Sequence, residues 1–188
     1  MEGTAAKPSM LALVFLLSTV LLLTISSPCD ATLLQDTCRR ITTSRSGIGY
    51  EFCVASLQAD PACASADRRG LAMIATRLSL AGASAALSAI TNMTRAKPNP
   101  WSTDCLGVCW EVYDAAIDHL NVAMRNLGAG RYREAVVFLS AAVDAPDNCE
   151  DAFREMGDGT SSSPLAHEGR DFGRVAAMAL AITATLGG

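Results

Sequence analysis

A chain of 188 residues with a formal net charge of −4 has room for one domain and lacks the basic surface that would hold nucleic acid or an anionic membrane. Half of its residues are hydrophobic but only 5% are aromatic. Alanine and leucine recur throughout, which favours packed helices over sheets.

Residues 1–31 read as an export signal. Lys7 precedes an apolar run from Met10 to Leu23, followed by small and polar residues up to Ala31. The run is short for a membrane span and has no basic flank behind it, so no membrane contact is expected after cleavage. A cut after Ala31 puts Cys29 and Ala31 at the small-residue positions and removes Cys29. The mature domain, 32–188, then keeps Cys38, Cys53, Cys63, Cys105, Cys109 and Cys149. Export makes disulfides the default reading of these cysteines.

Residues 32–62 read as a short arm, broken at Gly47 and Gly49 between Cys38 and Cys53. A bond between those two cysteines would close a small hairpin and contribute about 3 kcal/mol in the chain-entropy model. Residues 63–188 read as a bundle. Its first long helix runs from about Ala64 to Ala96, with Leu71, Ile74, Leu78, Ala81 and Ala85 facing inward. Lys97-Pro98-Asn99-Pro100 stops it.

The second helix covers Asp104 to Leu127, with Thr103 or Asp104 placed to cap it. Leu106, Trp110, Tyr113, Ile117, Leu120, Met124 and Leu127 fall at alternating steps of four and three, one continuous stripe. Gly128-Ala129-Gly130 ends it. The third helix starts near Arg131, with Tyr132, Val136, Leu139 and Val143 inward. Pro146 interrupts it, and Asp147 with Glu150 suggests a capped restart. After a loop over Gly157-Asp158-Gly159 and Ser161 to Ser163, Ser163 caps a last helix with Pro164 at its first position. Leu165, Phe172, Val175, Ala179, Ile182 and Leu186 line its inner face. Short connections force antiparallel neighbours, so the expected fold is all-α, an up-down-up-down four-helix bundle with an N-terminal hairpin arm.

That topology puts Cys109 and Cys149 at the same end, so a bond between them is feasible. Cys105, one turn away, competes for Cys149. Cys63 begins a helix of about 45 Å and cannot reach Cys105 within one chain. No catalytic group stands out. His119 and His167 lack metal or triad spacing, and Cys105, Cys109 and His119 lack a fourth zinc ligand. The chain is therefore expected not to be an enzyme and to need no cofactor or metal. Asn92-Met93-Thr94 is a glycosylation sequon.

Asp36 to Cys38, Tyr50 to Cys53, the run DCLGVCWEVYDAAIDHL from Asp104, and FLSAAVDAPDNCEDAF ending at Phe153 together resemble the plant invertase/pectin methylesterase inhibitor domain. The similarity extends from Cys38 to the C-terminus. The paired Cys105 and Cys109, Ser56 to Pro61 (SLQADP) and DAPDNCED resemble its pollen-allergen-like branch of invertase inhibitors. The resemblance implies a four-helix bundle with an α-hairpin, disulfides Cys38–Cys53 and Cys109–Cys149, and a protein target. That target would be a secreted invertase or a pectin methylesterase, met in the cell wall or vacuole. A non-inhibitory pollen or seed protein is the remaining class. Cys63 departs from the pattern. It is left as a free thiol, a link between two copies of an otherwise monomeric protein, or a partner for an unremoved Cys29. Where invertase inhibitors of the family carry a Pro-Lys-Phe patch, this chain has Gly130-Arg131-Tyr132-Arg133. Arg131, Tyr132 and Arg133 are the candidate partner-binding residues, since cations beside an aromatic can meet an active site built from carboxylates.

Overall fold

The computed structural model describes residues 29–44, 47–96, 99–157 and 162–187, and every secondary-structure element among them is helical. The apolar run Met10–Leu23, the Lys97-Pro98 stop, and Asp158 to Ser161 lie outside the described residues. In chain order the elements are α1 (Ala31–Ser44), α2 (Tyr50–Gln58), a 3-10 turn (Pro61–Ser65), α3 (Arg68–Arg95), α4 (Pro100–Gly128), α5 (Tyr132–Val143), α6 (Ala145–Met156) and α7 (Ala166–Ala184). The bundle is formed by α3, α4, α5 continued by α6, and α7. α4 packs against α3, α5 and α6, while α7 closes the ring against α3 and α5. α1 and α2 form the arm and lie against α3 and α7.

α4 is the spine. Cys109, Tyr113, Ala116, Leu120, Ala123 and Leu127 are buried along it at steps of four and three, a seam of coiled-coil type. The expected stripe is corrected along one side only: Leu106, Tyr113, Leu120 and Leu127 are buried as expected, but Cys109, Ala116 and Ala123 take the places assigned to Trp110, Ile117 and Met124. Trp110 is 44% exposed, and Ile117 and Met124 are only partly covered. Alanine and cysteine take the innermost places because they let the helix axes approach, and an indole there would hold them apart. The same correction applies to α3. Ala81 and Ala85 are exposed, whereas Ala72, Ala75, Ser79, Ala83, Ala86 and Ile90 are buried with Leu71 and Ile74. In so alanine-rich a helix, hydropathy hardly distinguishes the two faces.

Helix starts also moved. α4 begins at Pro100, not at Asp104, and its cap is Asn99, whose Oδ1 accepts the Ser102 N–H at 2.9 Å. Proline at the first position, after a capping asparagine, outweighs the later Thr103. α3 begins at Arg68, where Asp67 Oδ1 accepts the Gly70 N–H at 2.7 Å. Cys63 therefore sits in the preceding 3-10 turn rather than in the helix. The third bundle helix breaks at Asp144, and Pro146 lies in the first turn of α6. No capping box forms there, because the Glu150 carboxylate instead accepts the Ser163 N–H at 3.0 Å. Ser163 Oγ accepts the Leu165 N–H at 3.0 Å and so organises the turn into α7.

Three disulfides are present among the described residues, with Cα separations of 5.7 Å for Cys38–Cys53, 4.5 Å for Cys109–Cys149 and 4.9 Å for Cys29–Cys63. The first closes the α1–α2 hairpin, and the second joins α4 to α6. The third ties the residues before α1 to the 3-10 turn. The arm is further fixed by Arg174 of α7. Its guanidinium lies 3.8 Å over the Phe52 ring, a cation–π contact, and donates to the Ile48 carbonyl at 3.4 Å.

Candidate interaction site at the α4–α5 turn

α4, α5 and the α7 terminus converge at one end of the bundle. α4 stops there in a Schellman arrangement. Gly130 donates to the Leu127 carbonyl at 3.1 Å and Arg131 to the Asn126 carbonyl at 2.9 Å, with Gly130 at φ 71°. Only glycine adopts that left-handed conformation without strain. Gly130→Ala is expected to cost about 1 kcal/mol, read as a lowered midpoint in urea unfolding, and no loss would show that the turn relaxes.

The turn presents Arg131 and Arg133 to solvent and leaves Tyr132 half-buried against the core. The Arg131 Nε donates to Asn126 Oδ1 at 2.8 Å. Asn126 is buried, so one residue accepts both the backbone N–H of Arg131 and its guanidinium. The side chain is thereby oriented, and its remaining donors have no partner among the described residues. Neither arginine forms a salt bridge among the described residues. A Cβ on Gly187 would lie 3.7 Å from both Tyr132 Cβ and Arg133 Cγ, so the C-terminal residues brace the base of the site. Asn126 escaped the sequence reading, since a polar residue beside the stripe gave no signal until the turn brought Arg131 back over it.

The remaining candidate groups lie elsewhere. Asn92 is exposed in the last turns of α3, at the opposite end of the bundle. Tyr113 is fully buried, meets Phe172 edge-on at 5.5 Å, and its hydroxyl has no protein partner among the described residues. Burial first, and then Glu150, Glu168 and Asp147, push its pKa up to about 12, so it remains neutral. Gly169 has to be small because a Cβ there would come within 3.2 Å of that hydroxyl. His119 is half-buried near Phe138, and His167 is exposed beside Asp171 at 3.6 Å. No cluster of three metal-capable side chains occurs among the described residues.

Comparison with known proteins matches the chain to one family. A family model described as plant invertase/pectin methylesterase inhibitor covers residues 32–182. A Platanus orientalis protein named "Putative invertase inhibitor" is 33% identical over 158 residues, covering 84% of this chain and 92% of its own length. An Oryza sativa subsp. japonica protein named "Pectinesterase inhibitor 28" is 32% identical over 168 residues, covering 85% of this chain and 71% of its own. Among solved structures, a mutant form of an Arabidopsis pectin methylesterase inhibitor superposes with a TM-score of 0.64. It is 22% identical and covers 76% of this chain and 95% of that one, a likeness of fold.

Proposed function

The chain belongs to the plant invertase/pectin methylesterase inhibitor family, and from that premise we propose that it is an exported protein inhibitor of invertase, docking through Arg131, Tyr132 and Arg133. The observation that carries the reading is the pair of exposed arginines without acidic partners among the described residues, one of them oriented by Asn126, at one end of the bundle. Glycoside hydrolases work with a pair of carboxylates flanking the scissile bond. A guanidinium offers such a site a planar fork of donors whose charge does not titrate, and so competes with sugar hydroxyls for the same oxygens. Tyr132 adds an aromatic edge while its ring base is anchored in the core. Occlusion of the active site needs no chemistry from the inhibitor itself. A glycan on Asn92 would project from the other end and leave the site clear. Cell wall or vacuole, both reached through export, is the compartment in which such a target is met.

The test is titration of the purified exported protein against a cell-wall-type invertase and against a pectin methylesterase, at acidic pH and at two ionic strengths. Saturable inhibition of invertase alone, weakened by added salt, is the expected result. Inhibition of pectin methylesterase alone would shift the function to another face of the same bundle. Inhibition of neither would leave a scaffold without an enzyme target.

A further inference from the structure

Cys29 and Asp30 are integral to the folded domain. Cys29 is bonded to Cys63. Asp30 caps α1, its Oδ1 accepting the Thr32 N–H at 3.0 Å and the Leu33 N–H at 3.1 Å, while its carbonyl accepts from Leu34. Leu34 in turn is buried in the core. A cut after Ala31 would remove the cap, the first helical residue and one half of a disulfide together. It would also strand Cys63, which is buried in a 3-10 turn held from both sides. Asp60 caps that turn, accepting the Ala62 N–H at 2.9 Å, and pairs with Arg77 of α3. The Cys63 position is thus fixed on the bundle independently of Cys29.

We infer that the export signal is cut between Ser26 and Ser27, and that the mature chain keeps Cys29 as a third staple joining its N-terminus to the 3-10 turn. The apolar run ends at Leu23, which leaves Thr24 and Ser26 at the small-residue positions preceding that bond. The alternative cut one residue later would place Pro28 directly after the scissile bond, where it has no N–H. Water adds across the Ser26–Ser27 amide, giving a carboxylate on the leader and an amine on the mature chain. The Cys29 and Cys63 thiols are then oxidised by thiol–disulfide exchange. The disulfide of an export-pathway oxidoreductase becomes two thiols as the protein's two thiols become one disulfide. Seven cysteines in the mature chain then give three bonds and one free thiol, Cys105.

The experiment is expression of the full-length precursor in a plant secretory host. The exported protein is denatured and alkylated without reduction, freed of glycans and mapped by mass spectrometry. An N-terminus at Ser27, one alkylated cysteine, and a Cys29–Cys63 peptide pair that separates on reduction are expected. An N-terminus at Thr32, or any start beyond Cys29, overturns the inference, as does alkylation of Cys63. A start at Pro28 or Cys29 overturns the assigned cut and leaves the bond. Cys63→Ser provides an independent reading. Its Cys29 should become alkylatable and its Tm should fall by roughly 5–10 °C, whereas an unchanged Tm overturns the staple as a structural constraint.

Discussion

Replacing Arg131 and Arg133 together by glutamate is expected to raise the inhibition constant toward invertase, the proposed target, at least about a hundredfold. Charge-assisted hydrogen bonds contribute on the order of 1.5–3 kcal/mol each, so the loss of two corresponds to two or more decades. Glutamates in their place add repulsion against the target's carboxylates, which drives the loss further. The fold should tolerate the change. Both side chains are exposed, and exposed substitutions commonly stay within about 0.5 kcal/mol. Circular dichroism and Tm close to the unaltered protein therefore separate a lost contact from a lost structure. Asn126→Ala sharpens the test, because it keeps both charges and only releases the Arg131 guanidinium from its 2.8 Å bond. It should weaken inhibition less than the double reversal, mainly through the entropy of reordering the arginine on binding. Full inhibition by a folded double variant would place the docking surface elsewhere on the bundle.

The general architecture was legible in the sequence because its signals are local and periodic. Four long apolar stripes, separated by proline or glycine, can only be covered by one another. What could not be read was phase. The stripe through Trp110 scores as well by hydropathy as the seam through Cys109, Ala116 and Ala123, and only close approach of the axes selects the small residues. α3 makes the point again, since Ala81 and Ala85 are exposed while Ala83 and Ala86 are buried. The position of Arg131 and Arg133 at a bundle end followed from the glycines at 128 and 130, whereas their support by Asn126 depends on a turn that reverses the chain. At the N-terminus, a leader pattern and a helix cap overlap at Asp30 and Ala31. A small-residue motif describes a cleavage site as well as a helix start, and the partner that distinguishes them, Cys63, lies 34 residues along the chain.

Removing the Cys109–Cys149 bond by Cys109→Ala is expected to lower stability by about 4 kcal/mol, the chain-entropy value for a separation of 40 residues, and Tm by about 10 °C. The effect should exceed that of breaking Cys38–Cys53. The latter closes a separation of only 15 residues and lies in the arm, whereas Cys109 and Cys149 join two helices of the core. Cys105 is the obvious substitute, one turn from Cys109 and also buried. Register argues against rescue. Cys109 lies opposite Cys149, its sulfur 3.6 Å from that carbonyl, while Cys105 lies opposite Ala152, with its sulfur 3.6 Å from the Ala152 carbonyl. Bridging Cys105 to Cys149 would require α4 and α6 to slide by about a helical turn against a packed core. Burial, and secondarily Asp104, also raise the Cys105 pKa, which keeps it in the unreactive thiol form at acidic pH. Cys109→Ala and the double variant Cys105→Ala/Cys109→Ala should therefore melt within a few degrees of each other, and denatured Cys109→Ala should titrate two free thiols. One extra bond in place of those thiols, with Tm restored, would show that the seam between α4 and α6 can slip. The helix carrying the core would then be less firmly registered than its heptad of buried residues implies.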